Sequence, residues 1–334
     1  MTTAEKKVVG ATTTTAGSLP ARVARGCYRP RVDIPDWIAR QLPAGVREHE
    51  VATRGERMHV LEWGPKDGHT IVFVHGNPTW GFLWRKVVDE IRKRPGGDKL
   101  RLVAPDLIGL GMSTKPASAA HTLEHHGAWL GDMLDQLVPG PLVLVVQDWG
   151  GPIGLLAMTE RIARLRGLVL GNTAISPPGP NFKATAFHRL SQMPIVSNVL
   201  FEWLGFPLGL LHTSQGDKTT IRGEVARAYR WPLRKRVDRA APLALARMVP
   251  NSTTHPSVPA LGKTDATFRT AKIPISIVWG KRDPILGRVI NHLERLRPDA
   301  KVVRTSAGHF LQEEVPRELA DAVVDIAGRA DWSP

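Results

Sequence analysis

An aspartate closes an apolar run and directly precedes a helix-like stretch in Leu142-Val143-Leu144-Val145-Val146-Gln147-Asp148-Trp149-Gly150-Gly151. This is the layout of a sharp strand-to-helix turn that lifts one side chain above a sheet edge. Gly150, two residues on, is small enough to let the turn close. Most such turns raise a serine; here the raised residue is a carboxylate. The exchange dictates chemistry. A carboxylate attacking an ester or amide carbonyl would give an anhydride. At an sp³ carbon bearing a good leaving group it gives an ester on the protein. Hydrolysing that ester then needs an activated water. An aspartate before a helix is also a common cap, so Asp148 alone leaves both readings open.

A base for that water stands in Thr305-Ser306-Ala307-Gly308-His309-Phe310-Leu311, between the last expected strand and the last helix. A histidine there sits over the strand ends, where ligands gather in an open parallel sheet. An ordinary imidazole pKa of about 6.5 suits a general base at neutral pH. A carboxylate is then needed to hold its tautomer. Two places suit one. Gly171-Asn172-Thr173, after the strand ending near Leu170, carries no acid. Gly280-Lys281-Arg282-Asp283-Pro284, after the strand ending at Trp279, carries Asp283. An aspartate before proline is also a frequent turn residue. With Asp283 as orienter the chain order is nucleophile, acid, base.

A leaving anion in an apolar pocket needs N–H donors without net positive charge. Trp149 offers an indole N–H and Asn77, in His75-Gly76-Asn77-Pro78, an amide. The backbone N–H groups of the same two residues suit an oxyanion hole. Trp149 could equally be packing and Asn77 an Asx-turn before Pro78.

These side chains must be held by regular elements. Arg47 to Trp63 alternates and breaks at Thr53-Arg54-Gly55-Glu56, which predicts a β-hairpin. Strands are expected at 70–74, 100–104, 142–146, 168–170, 275–279 and 301–303, those at 70–74 and 142–146 buried, and helices at 80–93, 123–137 and 150–163. Such alternation implies a mostly parallel sheet with helices on both faces. The rhythm stops between Ala174 and Lys263, where the pattern is helical and broken by prolines. The expected division is a tail over 1–30, a core over 31–173 and 264–334, and a helical cap over 174–263.

The 334-residue chain carries 45 Lys and Arg against 31 Asp and Glu, a net charge of +14. The basic residues are spread out and accompany no nucleic-acid motif, so they read as a solvated face and no nucleic-acid partner is expected. The densest group, Arg234-Lys235-Arg236 with Arg230 and Arg239, falls on an expected helical surface. A single cysteine, Cys27, precludes an internal disulfide. No apolar run reaches the ~18–20 residues of a membrane span. The basic start lacks the apolar centre of a secretory signal; it shares the Arg-rich, acid-poor character of transit peptides but reads as a tail. A cytoplasmic location is expected. No metal-ligand or dinucleotide spacing appears, and no cofactor is expected.

Four ordered motifs resemble the haloalkane dehalogenases, a family with the α/β-hydrolase fold: His75-Gly76-Asn77-Pro78-Thr79-Trp80, Asp106-Leu107-Ile108-Gly109-Leu110-Gly111-Met112-Ser113, Gln147-Asp148-Trp149-Gly150-Gly151 and Gly308-His309-Phe310. The resemblance covers about Arg47 to Gly328, with the cap aligned only loosely. It implies an α/β-hydrolase core with an inserted helical cap, a triad of Asp148, Asp283 and His309, and a halide site at Asn77 and Trp149. The substrate would be small and apolar, a halogenated compound or a lactone, the product of the former chloride or bromide, and the protein either a single chain or a homo-oligomer. Asp283 paired with Asn77 resembles the third subfamily, some of whose members look like β-lactone decarboxylases using the same triad. Epoxide hydrolases also share the aspartate. They resemble one another in a pair of cap tyrosines, and this chain has only Tyr28 and Tyr229.

Overall fold

The computed structural model describes residues 33–180, 189 and 191–333. The tail expected over 1–30, with Cys27 and Tyr28, lies outside the described residues. Eight strands form one sheet in the order β1-β2-β4-β3-β5-β6-β7-β8. β1 (Arg47–Thr53) and β2 (Glu56–Trp63) are the expected hairpin. Its two-residue turn puts Arg54 at φ 46° and Gly55 at φ 87°, the left-handed pair that matches strand twist. β2 meets β4 (Leu100–Pro105) antiparallel. β4, β3 (His69–Val74), β5 (Leu142–Val146), β6 (Leu165–Leu170), β7 (Ile275–Gly280) and β8 (Lys301–Thr305) are mutually parallel.

The continuous apolar runs of the central strands follow from burial on both faces. Side chains alternate across a sheet, so Val72, Leu144, Val146, Leu168 and Ile277 fall on one side. They meet the helices Leu123–Leu137, Gly150–Thr159 and Val258–Thr270. Ile71, Phe73, Val143, Val169 and Val278 fall on the other, against Arg85–Arg92 and Pro316–Arg329.

Two helices differ from expectation. The stretch expected over 80–93 opens as a 3₁₀ turn, Gly81–Trp84, before the α-helix Arg85–Arg92, and its first N–H, that of Gly81, is satisfied by the Asp106 carboxylate at 2.7 Å. The helix expected to reach Ala163 stops at Thr159. There the Arg161 side chain turns back to donate to the Ala157 carbonyl at 3.0 Å and to Asp135. Among the described residues between β6 and β7 there is no strand; the main helices are Pro194–Asn198, Gly223–Arg230, Ala240–Arg247 and Val258–Thr270. The last runs unbroken across Lys263 and packs on Gly150–Thr159. No helix of the described residues is long and apolar enough to cross a membrane.

Two buried charge clusters brace the loops over the strand ends. The Asp106 carboxylate accepts from Gly81 N, Met112 N (2.7 Å) and His59 Nδ1 (2.9 Å). Burial opposes its charge, but His59 overrides this and holds the carboxyl below its usual range. Glu313, four residues beyond His309, takes both arms of Arg85 at 2.5 and 3.0 Å and the Tyr229 hydroxyl at 2.6 Å. Burial pushes the Glu313 pKa up, and Arg85 more than reverses the shift. The stabilisation from this carboxylate is therefore full above the ordinary Glu pKa and is lost as pH falls through its depressed folded value. Removing one member of a buried ion pair strands the other charge. Glu313→Ala should cost about 3–5 kcal/mol in urea unfolding; a loss below ~1 kcal/mol would show that this cluster does not anchor the loop.

Candidate active site

β5 runs to Val146, and two residues later Asp148 takes φ 51°, one of two non-glycine residues of the described chain in the left-handed region. Such a conformation costs of order ~1–3 kcal/mol and persists only where neighbours enforce it. They do: Asp148 N donates to Asn172 O at 2.8 Å, and the Thr173 hydroxyl donates to Asp148 O at 2.6 Å. Close approach explains two glycines. A Cβ at Gly150 would collide with the Val74 carbonyl, and one at Gly76 with the Asp148 carboxylate.

The raised carboxylate meets the other site residues. Asp148 Oδ1 accepts the Asn77 backbone N–H at 2.8 Å, and Oδ2 lies 3.4 Å from His309 Nε2. His309 Nδ1 lies 2.8 Å from Asp283 Oδ2. Asp283 is fully enclosed: Oδ2 also accepts from Asn172 Nδ2 at 2.7 Å, and Oδ1 accepts from Ile285 N and Leu286 N at 2.7 and 3.1 Å. The His309 loop is tied to the helical segment, with its own N–H donated to Ser214 O at 2.9 Å and Phe310 N to Gln215 Oε1 at 2.9 Å.

Electrostatics departs from the simple expectation of an ordinary imidazole. Burial by itself would lower the His309 pKa. Asp283 and then Asp148 override it and raise the value to about 10. Burial likewise opposes charge on Asp283, but His309 and the Asn172 hydrogen bond hold its pKa below the usual range. Both neighbouring acids thus favour the charged form of the ring against its burial. A raised folded pKa stabilises fully below ~6.5, and that stabilisation disappears as pH rises towards about 10.

Asn77, Trp149, Asp148 and His309 border one cavity of about 590 Å³, lined otherwise mostly by apolar side chains such as Phe201, Phe206 and Leu261. The indole nitrogen of Trp149 has no acceptor among the described residues, and Trp149 keeps 9 % of its surface open. Asn77 Nδ2 already donates to Pro242 O at 3.0 Å. One amide hydrogen is left. Two supporting residues escaped the sequence reading. Asn172, which supplies no acid after β6, bridges Asp283 and the β7 end, donating to Gly280 O and accepting from Gly280 N. Gln147 Nε2 donates to His309 O at 3.1 Å. Their signal was position alone, at the ends of neighbouring strands β6 and β5. Tyr229 is turned away from the cavity, its hydroxyl spent on Glu313.

Asp283→Asn keeps the shape and removes the charge. It should cut turnover by about 10³–10⁴ and bring the His309 pKa, followed by NMR of the ring protons, down from about 10. An unmoved titration would remove Asp283 as its source.

The profile of the alpha/beta hydrolase family matches residues 71–322. A haloalkane dehalogenase of Mycolicibacterium paratuberculosis is 32% identical over 292 residues, covering 86% of this chain and 92% of that protein. A cis-3-alkyl-4-alkyloxetan-2-one decarboxylase of Xanthomonas campestris is 29% identical over 290 residues, covering 80% and 91%. Among solved structures, the tetrameric haloalkane dehalogenase DpaA from Paraglaciecola agarilytica superposes with a TM-score of 0.73 at 25% identity, covering 89% of this chain and 98% of that one.

Proposed function

Because the chain belongs to the alpha/beta hydrolase family and to its haloalkane dehalogenase branch, we propose that it hydrolyses carbon–halogen bonds through an ester on Asp148. The observation that carries this reading is a carboxylate, in place of a hydroxyl, on the left-handed turn at φ 51° beside His309.

Asp148 Oδ2 attacks the halogen-bearing carbon from the side opposite the halogen. The C–O bond forms as the carbon–halogen bond breaks, and the electron pair leaves with the halide. The Trp149 indole N–H and the remaining Asn77 amide hydrogen receive the anion. Water then attacks the ester carbonyl, giving its proton to His309 Nε2. The oxyanion takes the Asn77 N–H that held Oδ1 in the free site. Collapse releases the alcohol, whose oxygen takes the proton from His309, and the proton left on the Asp148 carboxyl passes to His309, which restores the carboxylate.

To take the proton of the water the ring must be neutral. Asp283 is the larger of the two acids that raise the His309 pKa, and Asp148 is the other. Alkylation removes the charge of Asp148 and so favours the neutral ring, whose own proton leaves to solvent as the acid that accompanies the halide. The described residues between β6 and β7, such as Phe201, Phe206 and Leu261, act as the cap over the site, with a cytoplasmic location and small halogenated substrates in the same reading. A homo-oligomer is supported by the tetrameric relative.

The β-lactone reading is favoured by one observation, the Asn77 amide partly spent on Pro242 O. An epoxide hydrolase reading finds no free tyrosine among the described residues, since the Tyr229 hydroxyl is committed to Glu313.

Two measurements test the proposal. His309→Ala incubated with a bromoalkane should release one bromide per site and leave an alkyl group on Asp148, seen by mass spectrometry; bromide release without an adduct would sink the covalent route. Each halide hydrogen bond is worth about 1.5–3 kcal/mol. Trp149→Phe should therefore slow carbon–halogen cleavage at least about tenfold and weaken chloride inhibition in step. Lactone turnover indifferent to chloride, with no haloalkane turnover, would shift the assignment to the decarboxylase.

A further inference from the structure

We propose that the outer face of the helical segment at 195–204 docks on the anionic surface of a lipid bilayer. The helix Pro194–Asn198 continues as wider π turns over Val199–Trp203. Its apolar stripe points the wrong way for a soluble protein, where such a stripe faces the core. Ile195 is 82 % exposed, Trp203 61 % and Leu204 73 %, with Val196 and Val199 beside them, while Ser197 and Phe201 occupy the buried side. The 3₁₀ turn Arg236–Asp238 packs against Val199–Trp203 and brings a basic rim to this face. Arg236 stacks over the Trp203 ring at 3.9 Å, and Arg234 and Lys235 are exposed next to it.

Apolar side chains with a tryptophan, bordered by Lys and Arg, suit shallow insertion beneath anionic headgroups. A second copy of the chain suits the face poorly. A symmetric contact would bring the two Arg234-Lys235-Arg236 runs together, on chains each carrying +14. The placement also has a use. Phe201, on the inner side of the same helix, lines the active-site cavity, as does the half-exposed Leu210. A hydrophobic substrate dissolved in the bilayer could pass into the cavity without crossing water. This last step rests on the proposed reaction; the docking itself does not.

The test is co-sedimentation of the full chain, without substrate, with vesicles of equal parts phosphatidylcholine and phosphatidylglycerol and with phosphatidylcholine alone. Wild type should bind the mixed vesicles at least about tenfold more tightly. Ile195→Ser with Trp203→Ser should weaken binding by about tenfold or more. Arg234→Gln, Lys235→Gln and Arg236→Gln together should weaken it on the order of a hundredfold. Both variants should keep the wild-type melting temperature, since the changed side chains are exposed. In a complementary measurement, Trp203→Phe should remove most of the blue shift of tryptophan emission seen on adding mixed vesicles. Three results would overturn the proposal: no binding to mixed vesicles at low salt, binding unchanged in both variants, or self-association of wild type that Trp203→Ser abolishes while vesicles remain unbound. Because no turnover is read, failure here leaves the proposed reaction standing, and loss of that reaction leaves vesicle binding measurable.

Discussion

The His309 ring, 2 % exposed and enclosed between two carboxyl groups, is the contact on which the arrangement of the site depends. A titratable ring in that position needs a polar partner at both nitrogens. It has one on each ring nitrogen, Asp283 at 2.8 Å and Asp148 at 3.4 Å. Three parallel strands deliver the row. β5 ends before Asp148, β7 before Asp283 and β8 before His309. Because parallel strands all end on one side, residues far apart in the chain arrive above the same edge. The enclosed Asp283 needs donors of its own, and Asn172 from the end of β6 together with two backbone N–H groups supplies them. The strained turn at Asp148 belongs to the same arrangement, since the neighbouring carbonyl of Asn172 holds its N–H.

Much of this was legible in the chain. The strands could be read because burial on both faces leaves unbroken apolar runs such as Leu142–Val146, and their alternation with helices implies parallel pairing. Asp148, Asp283 and His309 could be named because each stands in the loop that follows an expected strand. Asn77 and Trp149 could be named by donor type and neighbourhood. Helix ends were harder. The Asp106 carboxylate that seizes the Gly81 N–H lies 25 residues away in sequence, beyond the reach of any local pattern. The Arg85–Glu313 pair, separated by 228 residues, is more remote still.

Protonation was the least legible property, and the reason is physical. An isolated histidine suggests an ordinary base. Its titration depends on what the fold places around it, and here burial and two carboxylates pull in opposite directions. Sequence indicates the types of these groups but not their distances, and the Coulomb energy varies inversely with distance and with the local dielectric. The same holds for Asn77. Its amide suggests two free donors, yet the Pro242 carbonyl from the helical segment consumes one.

That shared amide couples the helical segment to the reacting centre. Pro242 lies in the first turn of Ala240–Arg247, and Ser214 and Gln215 of the same segment hold the backbone on either side of the histidine ring. A shift of this segment would therefore move both the proposed leaving-group donor, Asn77, and the proposed base, His309. Changes that reshape the cavity wall through residues such as Phe201 or Phe206 can alter donor geometry without touching Asp148. A buried carbonyl deprived of the Asn77 amide costs about 1–3 kcal/mol, so a strong acceptor in the cavity must outcompete Pro242 to claim both hydrogens. A full anion forms hydrogen bonds roughly twice as strong as a neutral carbonyl does. A departing halide meets that condition and a neutral lactone oxygen does not. Within one and the same triad, the position of the Asn77 amide is thus sensitive to which chemistry the site carries out.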